Sequence, residues 1–493
     1  MTLKLSRTHL ILGLILLIGL FFRTYQPISR LEFAHDGDLY SWIVKDIVVD
    51  KHIRLIGQQT SAMGIFIGPF FYYMLIPFFL FFKMDPIGGV VPITIIGLVT
   101  IFSYYWVFAK IFNKNVGLIG AFLQAVLLSP VYFDRAVVPS TPTNLWIIWY
   151  FFCVISLVRG NYKVLWILGI LIGLIWHIHI ALLPPLLAIP FAIVLSHKLP
   201  HKKDVLAFLG NLAFTSVPLL VFEYRHNFLQ TKSLYANFFQ NHGAGSEGLA
   251  KINLVLIYLG HNLERLFFFP NSTHLATQTI AYLFLVFPLG LYFLKVIKNK
   301  EALVFYAWVM GVILFYGLSS SQLSEYYLTN VEVIFMALVS LALFKLFQNK
   351  KTGRWIILGL LLIIFVKNVN FFITEKRFKK GYKERKAAAE FITQDAKDKE
   401  FPCIAISYIT PPGENVGFRY FFWMNNLHVN EPSSLSPVYT IVSPKDFIDV
   451  KERALFGQIK VVGPDNVASK DEIAQSCSGQ NANLADPMFG FTR

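Results

Sequence analysis

The sequence predicts an all-α polytopic membrane protein with a small α/β domain at its C-terminal end. Three observations predict it. Of 493 residues, 55% are hydrophobic and only 15% are charged, where a soluble domain carries about 25% charged residues. Mean hydropathy is +0.55, and nearly charge-free runs recur near the ~20 residues needed to cross a bilayer. From residue 373 the composition turns polar, with Gly/Pro turns between short β-like runs.

The apolar candidates run at 9–22, 66–82, 90–109, 116–133, 143–158, 164–180, 183–197, 205–222, 278–295, 301–318, 326–346 and 354–372. The first follows Lys4 and Arg7, and "RTYQP" after it offers no small-residue cleavage site. It therefore reads as a retained signal anchor with the N-terminus inside.

Five short basic loops fix the rest: "KIFNKN" (110–115), "RGNYK" (159–163), "HKLPHKK" (197–203), "KVIKNK" (295–300) and "NKKTGR" (349–354). If all twelve candidates crossed, every one of these loops would lie outside, against the positive-inside tendency. Taking 66–82 out of the spanning set places all five inside. That stretch, "FIGPFFYYMLIPFFLFF", contains Pro69 and Pro77 and is dominated by aromatics, which suits an interfacial or re-entrant helix. About eleven spanning helices follow, with the C-terminus outside. The outer side then holds a loop at 23–89, a second at 223–277 and the 373–493 tail. In that tail "CIAISYI" (403–409) and "IKVVG" (459–463) read as strands.

The net charge of +15 is accounted for by the inner loops, so no nucleic-acid partner is expected. Cys153, Cys403 and Cys477 have no metal-ligand spacing; the last two share the outer tail, which leaves a disulfide open. No 20–50-residue repeat and no inverted pair of broken helices is evident. Without an organelle signal, the bacterial plasma membrane is the expected location.

This topology gathers polar residues on one side. "EFAHDGDLYSW" (32–42) brings Asp36 and Asp38, and "YFDRAVVPSTPTN" (132–144) brings Asp134 and Arg135. "WHIHIALLPP" (176–185) brings His177 and His179, and "FEYRHNF" (222–228) brings Glu223, Arg225 and His226. "SSSQLSEYY" (319–327) adds Glu325. Carboxylates at a membrane surface serve as a general base or as metal ligands, and Arg and His hold phosphate. The combination suits a sugar carried on a lipid phosphate, with an outer carboxylate deprotonating an acceptor hydroxyl. Ordinary readings stand beside this one. Asp134–Arg135 reads as a local pair at a helix end, and Tyr72 and Tyr73 read as an interfacial belt. His177 and His179 would lie about 200° apart on a helix, so one at most faces a site.

Four stretches resemble the GT-C glycosyltransferases, above all the protein O-mannosyltransferase and aminoarabinose transferase branch (glycosyltransferase family 39-like). "HDGDLYSWIVKDI" (35–47) is similar to the branch's Asp-containing stretch, with Asp36 at the position of the catalytic acid. "GPFFYYMLIP" (68–77) resembles a segment that in that fold runs along the membrane. "DRAVVPSTPTN" looks like the outer-turn Arg motif, and "FEYRHNF" resembles donor-phosphate residues of bacterial members. The resemblance covers residues 1–372 and implies a membrane glycosyltransferase that inverts a polyprenyl-phosphate-linked sugar. It implies Asp36 as general base and Asp38 as its helper, with Arg135, Arg225 and His226 on the donor phosphate. His177, His179, Tyr72, Tyr73, Glu223 and Glu325 are supporting residues in this reading, and the tail helps to position a protein, lipid or glycan acceptor. Where many members carry an acid after the outer-turn Arg, this chain has "VPST", so the need for a divalent metal stays open. A flippase of lipid-linked sugars is the main rival. It would call for ionisable residues at mid-bilayer depth, and the predicted spans are almost free of them.

Overall fold

The computed structural model describes residues 6–60, 63–239, 249–269, 277–319, 323–348, 351–375, 379–412, 414–465 and 467–484. Its longer helices, in chain order, begin with α1 (Arg7–Thr24), α2 (His35–Val48), α3 (Phe70–Phe81), α4 (Val90–Ile111), α5 (Lys114–Val126) and α6 (Thr143–Val158). They continue with α7 (Leu165–Ile178), α8 (Ala188–Ser196), α9 (Lys202–Arg225), α10 (Leu229–Phe239), α11 (Leu249–Phe268) and α12 (Thr277–Phe293). α13 (Asn299–Leu318), α14 (Glu332–Gln348), α15 (Lys351–Thr374), α16 (Tyr382–Asp398) and α17 (Lys470–Ser476) complete the set. All twelve apolar candidates fall on helix, and among the described residues six helical stretches are long and apolar enough to cross a membrane.

Burial sorts these helices. α6, apolar all round, is buried on every side, as a central helix must be. α9 and α15 instead leave large apolar side chains uncovered, such as Phe214 at 77% and Trp355 at 74% exposure. In a bilayer, hydrocarbon covers such surfaces.

The two ends of the bundle differ. At one end Arg159 donates to the Ile111 carbonyl (3.0 Å) and to Glu301 (2.7 Å). There Tyr162 donates to the Lys198 carbonyl and Lys300 to the Leu195 carbonyl, both at 2.7 Å. Four of the basic loops thus meet at one end. The other end carries the C-terminal domain.

α3 does not cross between them. The Phe70 N–H approaches His177 Nδ1 (3.4 Å), and Asp85, just past the helix, accepts from Tyr382 (2.6 Å) and Lys386 (2.5 Å) of the domain. Both ends of α3 therefore lie at the domain end. Its 12 residues reach about 18 Å, short of the ~30 Å hydrocarbon core.

The stretch 223–277, expected as a loop, holds two helices. α11 has Val255, Leu259, Leu263 and Leu266 buried on one face. Lys251 donates to the Ser319 carbonyl, and Phe269, just past the helix, packs on Tyr132 and Phe371. Both ends therefore touch the domain end, and the helix lies across it. Lys251, Glu264 and Arg265 interrupt its apolar run, which hides it from a search for spans.

The domain is a five-stranded sheet in the order β2-β1-β3-β5-β4, with β1 Ile404–Ile409, β2 Val429–Asn430, β3 Val438–Val442, β4 Ala454–Phe456 and β5 Ile459–Val462. β1 runs parallel to β2 and β3, while β5 is antiparallel to β3 and β4. α16 is buried through Ile392 and through Ala388, Ala389 and Ala396, whose small side chains allow close approach. The same core continues without a break into Phe33, Tyr40 and Trp42 around α2 and into Phe71 and Phe79 of α3. Cys403 and Cys477, left open by the sequence, are joined, and the bond closes a separation of 74 residues. Constraint of the unfolded chain on that scale contributes about 4 kcal/mol. Reduction is expected to lower the domain's melting temperature in a thermal scan with and without dithiothreitol. Coincident scans would remove that contribution.

Candidate active site at the domain end

The Asp-Gly-Asp of "HDGD" opens α2, where carboxylates complement the N-terminal end of the helix dipole. The glycine is steric: a Cβ there would meet the Phe33 ring at 2.5 Å. Two residues on a helix lie about 200° apart, so the two acids face different surroundings. Asp36 is half-exposed. Its Oδ1 lies 3.6 Å from His35 Nδ1 and accepts from Gln58 Nε2 at 3.4 Å. The nearby His35 imidazole is the main cause holding its carboxyl below the ordinary carboxylate value, against partial burial. Asp38 is buried and accepts from the Tyr420 N–H (3.2 Å), at the start of the short helix Arg419–Met424. It ties α2 to the domain and turns away from Asp36.

Tyr72 and Tyr73 clamp the strand-like strip facing α2. The Tyr72 hydroxyl accepts from the Gln58 N–H (3.0 Å) and donates to Gln58 Oε1 (3.1 Å). The Tyr73 hydroxyl accepts from the Arg54 N–H and donates to the Arg54 carbonyl, both at 3.0 Å. With Oε1 engaged by Tyr72, Gln58 presents its amide N–H to Asp36. Gln58 and His35 were not singled out from the sequence. The only signal for Gln58 was its place in a polar strip, "IGQQTS", between two aromatic-rich segments.

The remaining candidates divide. Arg135 donates to the Phe22 (2.7 Å) and Tyr25 (3.1 Å) carbonyls at the end of α1. Asp134 pairs with Arg23, not with Arg135, through Nε at 3.0 Å and through Nη2, both side chains being fully buried. Glu223 anchors the start of α10, accepting from the N–H groups of Gln230 (2.9 Å) and Thr231 (3.0 Å). His226 stacks on Phe222 (4.1 Å) and bonds the Phe222 carbonyl through Nδ1 (2.9 Å). Arg225 is exposed at the end of α9 and forms no hydrogen bond or ion pair with the described residues. Phe222 packs on Phe66 (5.9 Å), and Gln59 bridges Phe66, so this helix end adjoins the Gln58 strip.

His177 is locked between the Phe70 N–H and the Thr215 carbonyl (2.9 Å). His179 lies past the end of α7, accepts from the Ala181 N–H (3.0 Å) and lines a pocket with Tyr327 and Asn330. Glu325 opens the short 3₁₀ stretch Glu325–Val331; its side chain lies outside the described residues. Among the described residues no three His, Cys, Asp or Glu side chains converge as a metal site. With Asp38 turned away, Asp36 has no second carboxylate beside it among the described residues.

No family model matches the sequence, and no curated protein matches it. The fold does have solved counterparts. ArnT from Cupriavidus metallidurans bound to undecaprenyl phosphate aligns over 92% of this chain and 97% of that one, with a TM-score of 0.56 and 11% identity. The same protein in the apo state gives 0.54 over the same shares. This is the GT-C fold. An identity of 11% speaks for architecture alone. In this chain α2 and α3 pack against the small sheet domain through one apolar core, at the same end of the bundle.

Proposed function

We propose that this protein is a membrane glycosyltransferase that moves a sugar from a polyprenyl-phosphate donor to an acceptor at the domain end of the bundle. The observation that carries the reading is the half-exposed Asp36 carboxylate, held by Gln58 and Tyr72 at the domain end of a fold shared with a protein that binds undecaprenyl phosphate. The domain end is extracytoplasmic in this reading, because the basic loops gather at the opposite end.

Asp36 takes the proton of the acceptor hydroxyl as its oxygen attacks the anomeric carbon. The bond from that carbon to the phosphate oxygen breaks, polyprenyl phosphate leaves and the configuration inverts. Arg225, uncommitted and exposed, neutralises the leaving phosphate, with His226 beside it. Arg135 is spent on two carbonyls and acts on the donor only by supporting the end of α1.

The test is transfer of radiolabelled sugar from a polyprenyl-phosphate donor into acceptors in membranes carrying the wild type or Asp36→Asn. Equal transfer by both would overturn the assignment of the base. Because His35 holds the Asp36 pKa down, Asp36 stays ionised to lower pH than an ordinary carboxylate. His35→Ala raises that pKa, so the acid limb of the rate profile moves to higher pH. A limb that stays in place would separate His35 from the base.

A further inference from the structure

We propose that the pocket beside His179 reads a hydroxyl or hydroxymethyl group of the transferred sugar, with Asn330 as its acceptor. The inference rests on the transferase reading. The pocket brings together Ser140, Thr143, His179, Tyr327, Thr329 and Asn330, from the outer turn before α6, the end of α7 and the stretch before α14. Asn330 is 1% exposed, and its Nδ2 donates to the Tyr327 (2.7 Å) and Ala181 (3.2 Å) carbonyls. Those bonds fix the amide and leave Oδ1 buried without a partner among the described residues. A buried acceptor left unpaired costs about 1–3 kcal/mol, which a hydroxyl donating to it recovers.

The rest of the lining fits the same ligand group. Among the described residues no Asp, Glu, Lys or Arg lines the pocket, so it suits a neutral polar group and not a phosphate or carboxylate. Tyr327 packs on His179 (5.4 Å between ring centroids) and stacks on Tyr316 (5.9 Å), forming a firm wall. The empty volume is about 290 Å³, much of it open to solvent, and the enclosed part has room for one small group and not a whole ring. His177, two residues earlier, touches the start of α3, whose Tyr72 holds Gln58 against Asp36. The pocket and the base thus stand on the same support.

The experiment compares kcat/KM for the parent polyprenyl-phosphate hexose with its monodeoxy analogues, using the full-length protein in lipid nanodiscs. The wild type is expected to lose roughly tenfold to hundredfold at one deoxy position. Asn330→Leu brings that ratio towards one. Should Asn330→Leu not fold, Ser140→Val, which fills the pocket and leaves the Asn330 anchors in place, makes the same comparison. A wild type that accepts every deoxy analogue as well as the parent overturns the pocket, as does a folded variant with an unchanged ratio. Absence of transfer from the parent hexose by the wild type overturns the transferase reading on which the pocket rests.

Discussion

Asp36→Asn is expected to lower sugar transfer by about 10²–10⁴-fold, the range supplied by a positioned general base, while the protein keeps its wild-type elution and melting behaviour. The amide matches the carboxylate in size and can still accept from Gln58 at the present 3.4 Å contact. What it loses is the capacity to take a proton. The side chain is half-exposed, so its replacement opens no cavity. Loss of a charge near the start of α2 costs only about 0.3–1 kcal/mol of helix stabilisation. Activity and stability therefore separate at this position. A variant that transfers sugar at the wild-type rate would return Asp36 to the class of solvated helix-start acids.

The second large effect concerns stability. Arg23→Leu leaves the Asp134 carboxylate buried without its guanidinium, and breaking one side of a buried pair costs about 3–5 kcal/mol. The other bonds of Arg23 run to the Gly19 and Ala125 carbonyls of α1 and α5 (3.2 and 3.3 Å) and to the Gln124 carbonyl (3.1 Å). The single variant is expected to lose most of its folded population in detergent when followed by fluorescence-detected size exclusion during heating. The double variant Arg23→Leu/Asp134→Leu removes both charges and is expected to recover much of the loss, since an apolar replacement of a buried pair is often close to neutral. A double variant as unstable as the single one would place the damage in packing and not in charge.

The sequence carries the bundle because a bilayer demands continuous apolar runs, and all twelve such runs are helical. The charge argument singled out 66–82, and α3 indeed begins and ends at the domain end. α11 was missed because a helix laid across one end needs only one apolar face, and its Lys, Glu and Arg break the hydropathy signal. Within the site, two-residue spacing was the informative feature. It splits Asp36 from Asp38, both on α2, whereas His179 parts from His177 because α7 ends at Ile178 and His179 is extended. Sequence spacing could not locate Gln58, since that strip is held against α2 by distant hydroxyls such as Tyr72 and by pairs to Asp46. Nor could it show that Arg135 spends its guanidinium on the end of α1, because those carbonyls lie 113 and 110 positions away.

The apolar core shared by α2, α3 and the C-terminal domain also sets a timetable for biogenesis. Residues 33–48 leave the ribosome more than 300 residues before α16 and the sheet that cover them. At about 5–20 residues per second, that interval lasts roughly 20–60 s. Throughout it Phe33 lacks Tyr382 and Phe421, and Trp42 lacks Tyr420 and Trp423, the rings that the domain lays on them. The segment bearing the proposed base is therefore among the first parts inserted and the last to be finished. A chain stopped before residue 382 would present this aromatic surface to the quality-control machinery, with every membrane helix already in place.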